Sequence, residues 1–387
     1  MNHIYFDNAA TSWPKPPGMI EAMTRFNESI GGNPGRSGHQ LSIEAARVIY
    51  EARQLTAELI GAPDPLSIVF TKNATEAINC ALFGLLKPGD HIIASSMEHN
   101  SVMRPLRFLE QQGVDLSIAP CSPAGELDPG DVRKMLQKST KAIVMVHASN
   151  VTGTVLPIDA LARIAREQEI LFIVDAAQTA GNMPIHVEKA GIDILCFTGH
   201  KSLLGPQGTG GFYIRKGIEK RLQPLMRGGT GSASEFEEQP DFLPDKFESG
   251  TPNGIGLAGL AAGIRFVLDT GIAHIREKET LLARQFLEGL AGIGGITVYG
   301  SHNAREHTAI VSFNINGVSS SDVASALDEY FGIMCRPGLH CAPATHRTIG
   351  TFPQGTVRFG FGFFNTEDEV QQGLEAVTNI SRTYHNS

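Results

Sequence analysis

A lysine and an aspartate, each placed after an apolar run, are the residues of this chain best suited to chemistry. Asp175 follows the apolar run 171–174, and Lys201 lies between the apolar run 192–197 and the glycine-rich run 204–211. An amine between a buried strand and a tight loop is poorly explained as a solvated surface charge. Pyridoxal phosphate needs an amine for its aldehyde and an acid for its ring nitrogen. The two residues therefore predict a pyridoxal phosphate site.

Three further polar residues follow predicted strands and could serve the same ring. Gln178 is neutral and can hydrogen-bond a phenolate oxygen, and His99 could stack on a ring and move protons. Asn150 could hold the substrate or the ring. A simpler alternative remains for His99, since a lone histidine is often structural. Asp175 could also cap the following helix, but its link to Gln178 and Lys201 decides against that alternative.

A phosphate site is predicted where a strand passes through a short loop into a helix at residues 70–76. The backbone amides of Ala74 and Thr75 are free at such a helix N-terminus, which suits an anion, and the Thr75 hydroxyl can add a bond. Thr75 could instead be an ordinary helix cap. Thr198 and His200 lie two residues apart, so both could face the same phosphate.

The elements that must position these residues alternate between strand and helix. Strands are predicted at residues 67–70, 91–95, 114–119, 142–146, 171–174, 192–197 and 211–214. Helices are predicted at 15–30, 41–60, 76–86 and 158–168. This alternation indicates a mostly parallel sheet, in which ligands bind at the carboxyl ends of the strands.

After residue 256 the pattern changes to that of a smaller α+β unit. A helical run at 257–290 breaks near Gly271, and further strands (296–299, 309–315, 356–361) and helices (321–330, 367–382) follow. Thr366 and Glu369 fit a capping box for the last helix. We expect a segment at 1–14 that packs on the small domain, a large cofactor-binding domain at 15–260 and a small domain at 261–387.

Composition excludes several other classes of protein. The chain has 387 residues and a net charge of −8, which does not favour binding to nucleic acid or to an anionic membrane. No secretory signal and no apolar run long enough to span a bilayer are visible. Five cysteines, an odd number, favour reduced thiols in the cytoplasm over a disulfide framework.

The ordered set of motifs resembles one family along nearly the whole chain. It is similar to the class V aminotransferase-fold enzymes, and among them to the cysteine desulfurases and selenocysteine lyases of the SufS-like, group II type. The matching segments are residues 5–11, 70–79, 98–100, 149–154, 175–178, 198–201, 247–253, 336–341 and 358–366.

The resemblance implies an α/β fold of the pyridoxal phosphate-dependent transferase fold type I. It implies that Lys201 forms a Schiff base with the cofactor, Asp175 pairs with the pyridine nitrogen, Gln178 meets the phenolate oxygen and His99 stacks on the ring. The family's phosphate ligands match Thr75, Thr198 and His200.

The resemblance also implies a substrate contact and a partner subunit. Arg358 matches the arginine that pairs with the α-carboxylate of an amino-acid substrate, a planar anion that a guanidinium fork suits. Apolar neighbours weaken the alternative of a strand-surface arginine. Thr251 matches a threonine that reaches the phosphate of the neighbouring subunit, which implies a homodimer with shared active sites.

Cys341 matches the cysteine that forms a persulfide in this family. Glycine and proline around it predict an irregular loop, and nearby Arg336 and His340 could favour the reactive thiolate. The chain departs from the family by having Pro337 and Leu339 in this loop.

The other cysteines have simpler interpretations. Cys80 and Cys196 are typical of buried apolar residues, and Cys335 is interpreted as structural. A metal site at Cys335 and Cys341 lacks a second cysteine pair, so no metal is expected.

The implied reaction converts L-cysteine, or L-selenocysteine, to L-alanine and passes the sulfur or selenium to an acceptor. The transferred sulfur would supply iron–sulfur cluster assembly or another sulfur-transfer process. Lys201, Asp175 and Arg358 would equally serve transamination, β-lyase or racemase chemistry, so only Cys341 discriminates between these reactions. A non-catalytic binding protein that keeps the fold is a further alternative.

Overall fold

The computed structural model describes residues 3–35, 37–301 and 307–385. Its strands are β1 (Ile4–Tyr5), β2 (Ile68–Thr71), β3 (His91–Ser95), β4 (Asp115–Ala119), β5 (Thr140–Val146), β6 (Leu171–Asp175), β7 (Ile194–Thr198), β8 (Gly210–Ile214), β9 (Ile296–Tyr299), β10 (Ile310–Ile315), β11 (Ile333–Met334), β12 (Arg336–Gly338) and β13 (Thr356–Gly360). Its α-helices are α1 (Met19–Arg25), α2 (Gln40–Ile60), α3 (Ala74–Leu85), α4 (Asn100–Gln111), α5 (Pro129–Lys134), α6 (Ile158–Glu167), α7 (Val187–Ala190), α8 (Gly254–Thr270), α9 (Ile272–Leu290), α10 (Ser320–Phe331), α11 (Pro343–Thr348) and α12 (Glu367–His385).

A seven-stranded sheet forms the centre of the larger part, in the order β2-β8-β7-β6-β5-β3-β4. All pairs are parallel except those that β8 makes with β2 and β7. Both faces are buried, as parallel sheets require: along β3, Ile92 packs into one apolar cluster and Ile93 into the other. The predicted mostly parallel sheet is confirmed, and its strand ends define one edge.

The smaller sheet is antiparallel, in the order β12-β13-β10-β9, and β1 pairs separately with β11. Its core contains phenylalanines, among which Phe286 and Phe359 stack at 4.8 Å between ring centroids. Helix α8 runs without a break through residue 260, where the sequence suggests a domain boundary. The three-part division of the chain remains a prediction.

Two segments differ from expectation near prolines. The helix predicted at 15–30 begins only at Met19, and the residues 26–30 form a wider π-helical turn. The segment after residue 335, which the sequence predicts to be an irregular loop, contains the strand β12. Proline at position 337 is tolerated in this strand because β12 lies at the edge of the sheet, where a missing amide proton costs no ladder hydrogen bond. Pro343 then begins α11, since proline suits the first turn of a helix.

No single helix among the described residues is long and apolar enough to cross a membrane. Helices α8 and α9, which meet at 83°, pass that test only as a pair and only on length and composition.

The predicted capping box at the start of α12 is confirmed. The backbone amide of Thr366 donates to Glu369 Oε2 at 3.0 Å, and the amide of Glu369 donates to Thr366 Oγ1 at 3.2 Å. We expect Thr366→Ala to lower the free energy of unfolding by about 1 kcal/mol, because one helix-start amide loses its acceptor. Denaturant unfolding measures this loss. Thr383→Ala, at an exposed site on the same helix, is the control, and equal unfolding of the two variants would contradict the prediction.

Candidate active site

A cavity of about 280 Å³ lies at the carboxyl ends of β5, β6 and β7. Ten of the twelve predicted site residues line it, and the two that do not are Thr251 and Cys341. The ten are Ala74, Thr75, His99, Asn150, Asp175, Gln178, Thr198, His200, Lys201 and Arg358. The sheet therefore brings together residues that are separated by up to 284 positions (358 − 74).

Asp175 is the last residue of β6 and is only 2 % exposed. Its Oδ1 accepts from the amide of Ala177 at 2.9 Å, and its Oδ2 is 3.5 Å from Ser101 Oγ. The first bond shows that Asp175 does cap the following turn, as the simpler interpretation supposed. Burial raises the pKa of Asp175, and in the described ranges Oδ2 has only one hydrogen-bond contact, the long one to Ser101. A cationic N–H is thus a suitable partner for the carboxylate.

Lys201 lines the same cavity as Asp175 and lies three residues after β7 ends. Burial lowers its pKa to about 8, while the charge of Asp175 acts in the opposite direction. A larger share of the amine is therefore neutral near physiological pH than in an exposed lysine. The neutral amine is the form that attacks an aldehyde.

His99 has both a structural and a chemical position. Its Nδ1 accepts from the amide of Ser101 at 3.0 Å and so caps α4, and it lies 2.8 Å from Ser101 Oγ. Burial, followed by the charge of Lys201, lowers the pKa of His99 to about 3, so the ring is neutral and its proton resides on Nε2. Ser101 touches both His99 and Asp175, a link that no sequence motif indicated.

The start of α3 is suited to an anion. Asn73, not Thr75, is the N-cap, because its Oδ1 accepts from the amide of Glu76 at 2.9 Å. The alternative that Thr75 merely caps the helix is wrong. Among the described residues, the amides of Ala74 and Thr75 donate to no other group, so they face the cavity as an anion site.

Two more polar atoms beside this helix end have no partner among the described residues. They are Thr198 Oγ1 and His200 Nδ1, and both are buried. Burial and then the charges of Lys201 and Lys15 lower the pKa of His200 to about 4, which leaves a neutral imidazole. Buried polar atoms without partners are uncommon, and a phosphate would satisfy both.

Arg358 projects from β13 into the cavity wall and is only 1 % exposed. Its Nη2 donates to Asp7 Oδ1 at 2.8 Å and its Nη1 donates to the Asn150 carbonyl at 2.9 Å, while its Nε has no partner among the residues that the structure describes. The strand-surface alternative for Arg358 is therefore wrong. The Asn150 side chain donates to the His340 carbonyl at 2.8 Å, and its buried Oδ1 is unpaired within the described part of the chain.

Gln178 is buried, and its Nε2 donates to the Ala9 carbonyl at 3.0 Å. This contact, like that of Asp7 with Arg358, comes from the N-terminal segment.

Cys341 is exposed, and it contacts one residue of the cavity wall. Arg336 lines the cavity, and its Nη2 lies 3.3 Å from Cys341 Sγ, where a guanidinium stabilises negative charge. Two successive residues, His340 and Cys341, have φ of +49° and +58°. Such left-handed backbone is costly outside glycine, and it is found preferentially at functional sites.

His340 does not take the role suggested for it beside the thiol. It is buried, its Nε2 lies 3.0 Å from Thr356 Oγ1, and burial lowers its pKa well below the usual value. A neutral ring cannot offer a positive charge to Cys341. Of the two neighbours suggested from the sequence, only Arg336 therefore places a positive charge beside the thiol.

Comparison with known proteins places the chain in a family. The model of the aminotransferase class-V family matches residues 4–372. The chain belongs to the class-V aminotransferase family. A probable cysteine desulfurase of Methanothermobacter thermautotrophicus is 37% identical over 385 residues, which are 98% of this chain and 95% of the relative.

Solved structures of this family share the fold. The apo structure of a cysteine desulfurase from Thermococcus onnurineus NA1 has a TM-score of 0.93 at 36% identity, covering 98% of this chain and 95% of that one. The Escherichia coli cysteine desulfurase CsdA, as the S-sulfonic acid, has a TM-score of 0.88 at 29% identity, covering 99% and 95%. These similarities confirm the predicted transferase fold.

Members of the class-V aminotransferase family depend on pyridoxal phosphate. The cavity fits this cofactor because it offers a buried amine, a buried acid and unpaired polar atoms for a phosphate: Lys201, Asp175, Thr198 and His200. The cofactor predicted from the sequence therefore agrees with both the family and the cavity.

The other cysteines and Thr251 lie outside the cavity. Cys80 and Cys196 are buried as predicted, and burial raises the pKa of Cys80 to about 12. Cys335 packs against the small core, and burial raises its pKa to about 12 as well. Within the described part of this family member, no group of three or more His, Cys, Asp or Glu side chains could hold a metal ion. Thr251 is exposed and lines a different surface pocket.

Glu98 is fully buried beside this site, and burial raises its pKa to about 8. Its Oε1 accepts from Ser95 Oγ at 2.5 Å and from the Val146 amide at 3.0 Å, while Oε2 has no partner in the described structure. Because the folded state holds this proton and the unfolded state releases it near pH 4.5, stability falls as the pH rises from about 4.5 to about 8.

We expect Glu98→Gln to remove this part of the pH dependence. The difference in unfolding free energy between variant and wild type should grow by up to about 1.4 kcal/mol per pH unit within that window, and stay constant above it. Denaturant unfolding from pH 4 to pH 9 measures the difference. A constant difference across the window would show that Glu98 is ionised in the folded protein.

Proposed function

We propose that this protein is a pyridoxal phosphate-dependent cysteine desulfurase, which converts L-cysteine to L-alanine and retains the sulfur as a persulfide on Cys341. The observation that carries the proposal is the 3.3 Å contact of Cys341 Sγ with Arg336, a residue of the cavity wall. This contact supports the proposal because it joins an exposed thiol to a residue of the cavity wall. Relatives named cysteine desulfurase along the whole chain support the same reaction.

The cavity residues would hold the cofactor by its four polar groups. Lys201 would bind the aldehyde, Asp175 the ring nitrogen and Gln178 the phenolate oxygen, with His99 stacked on the ring. The phosphate would lie at the start of α3 and be bound by Ala74, Thr75, Thr198 and His200. Bound in this way, the cofactor supplies an electron sink for negative charge at the substrate Cα.

Arg358 and Asn150 would bind the amino-acid substrate. The free Nε of Arg358 and the unpaired Oδ1 of Asn150 are a donor and an acceptor for its carboxylate and amino groups. Asp7 already occupies one Nη of Arg358. The substrate carboxylate therefore meets a guanidinium that is held in place before binding, which reduces the entropy lost on binding.

Proton and sulfur transfer would fall to two side chains. The neutral amine of Lys201 would take the proton from the substrate Cα, which its lowered pKa of about 8 favours. The Cys341 thiolate would attack the substrate sulfur, so that an S–S bond forms and the Cβ–S bond breaks. The electron pair of the broken bond remains on carbon, and protonation gives alanine.

The decisive experiment is incubation of the purified protein with L-cysteine and a reductant. Equal yields of alanine and sulfide are expected, because the reductant releases each persulfide sulfur. Pyruvate in place of alanine would indicate a β-lyase instead. A protein that stays colourless with added pyridoxal phosphate would indicate the non-catalytic alternative.

Several finer features belong to the same proposal. We propose activity on L-selenocysteine as well, and a homodimer in which Thr251 contacts the phosphate of the neighbouring subunit. Thr251 is exposed and outside the cavity of its own chain, as a contact in trans requires. We also propose that a sulfur-acceptor protein takes the sulfur from Cys341. A cytoplasmic location is proposed because the five cysteines are all free thiols.

A further inference from the structure

Three residues within positions 11–15, where the N-terminal segment ends, bind the carbonyl of the residue before Lys201. The His200 carbonyl oxygen accepts from the Ser12 amide at 3.0 Å, from Thr11 Oγ1 at 3.1 Å and from Lys15 Nζ at 2.9 Å. Ser12 Oγ lies 3.2 Å from the same oxygen. A carbonyl oxygen has two lone pairs, so these donors exceed its ordinary share. The peptide that precedes Lys201 is thus held from several sides.

The peptide that follows Lys201 is held by the same segment. Ser12 Oγ donates to the Lys201 carbonyl at 2.9 Å and accepts from Lys15 Nζ at 2.8 Å. A serine hydroxyl has one proton, so accepting from Lys15 leaves that proton for a carbonyl. Lys15, Ser12 and the Lys201 carbonyl therefore form a short chain of hydrogen bonds.

Lys15 is an unusual residue for this purpose. Burial lowers its pKa to about 8, and among the described residues no carboxylate pairs with it. Its two acceptors are neutral oxygens, a hydroxyl and a carbonyl. Withdrawing a long cationic side chain from water costs solvation and rotamer entropy, and hydrogen bonds at these two acceptors offset that cost.

The segment is anchored at its other end to the small sheet. The Asn8 amide donates to the Gly360 carbonyl at 3.2 Å, and Asn8 Nδ2 donates to Asn365 Oδ1 at 3.1 Å. The segment is thereby fixed at both ends. Hydrogen bonds from Lys15 and Ser12 therefore restrict the movement of the main chain at Lys201.

We propose that Thr11, Ser12 and Lys15 form a clamp that fixes both peptide planes on either side of the Lys201 Cα and so aims its amine at the cofactor aldehyde. None of the three lines the cavity, so they are positioning residues. The inference rests on the proposed role of Lys201 in binding pyridoxal phosphate.

The test compares two ligands on the apo-protein. Pyridoxal 5'-phosphate can bond covalently to Lys201, whereas pyridoxine 5'-phosphate has no aldehyde and cannot. We expect Lys15→Met to weaken pyridoxal phosphate binding about tenfold, the effect of losing a hydrogen bond from a charged group. Binding of pyridoxine phosphate should change less than about threefold. Lys216→Met, at an exposed lysine, is the control for lost charge.

The outcomes separate this inference from the proposed function. A wild-type protein that forms no Schiff-base absorbance would refute the role of Lys201 itself. If wild type forms it and Lys15→Met binds pyridoxal phosphate as Lys216→Met does, the clamp is wrong. Equal weakening of both ligands would also overturn it, since that indicates general damage to the cavity. If Lys15→Met does not fold, the nearly isosteric Thr11→Val replaces it under the same criteria.

Discussion

Cys341→Ser is expected to lower sulfide release from L-cysteine by about a thousandfold or more, because a serine hydroxyl cannot take up the substrate sulfur as a persulfide. Pyridoxal phosphate absorbance should be unchanged, since Cys341 does not line the cavity. Sulfide and alanine are measured together, and persulfide on the protein is measured by mass spectrometry after a single turnover without reductant. The variant should show no added sulfur.

A matched cysteine and a second substrate sharpen this experiment. Cys121→Ser removes a half-buried thiol elsewhere in the chain and should keep sulfide release. Full activity of Cys341→Ser on cysteine would refute the proposed sulfur transfer. Selenium is a better leaving group than sulfur, so selenium release from L-selenocysteine is expected to persist in the variant.

The set of cavity residues could be predicted because a parallel sheet converts sequence order into position. Asp175 and Thr198 end adjacent parallel strands, so their side chains meet at one edge wherever the loops run. The same geometry places the start of α3 beside them. Only the alternation of strands and helices had to be recognised, which is a strong local signal.

The partners of these residues could not be predicted in the same way. Asp7 bonds Arg358 across 351 positions of sequence, and Lys15 bonds the His200 carbonyl across 185. No rule of sequence spacing connects such distant residues, because the distance between them in space depends on how the small sheet and the N-terminal segment pack. Ser101 was missed for another reason, since a serine in the first turn of a helix is common.

The environment of Cys341 shows how tertiary contacts override a local reading. Proximity in sequence suggested that His340 acts on the thiol, yet its left-handed backbone and its contact with Thr356 turn it into the core. Arg336, five residues away, reaches the sulfur because β12 pairs with β13 and carries it there. The strand pairing, not the loop composition, therefore determines which charge faces the nucleophile.

Lys201→Ala is expected to abolish both alanine and sulfide formation, by about four orders of magnitude or more, because one amine is proposed to bind the cofactor and to move the Cα proton. The Schiff-base absorbance should disappear as well. Lys201→Arg is the matched control, since it keeps a cation in the cavity without a nucleophilic amine, and it should be equally inactive.

The pH dependence of cofactor uptake tests the same amine in the unaltered protein. A pKa of about 8, compared with 10.5 for an exposed lysine, makes the neutral amine about 300 times more abundant at pH 7. The rate at which apo-protein takes up pyridoxal phosphate should rise with pH and level off above about pH 8, because the amine is then mostly neutral. A rate that continues to rise to pH 10 would show that burial does not lower the pKa of Lys201. In that case the cavity would bind the cofactor without activating the residue that is proposed to hold it.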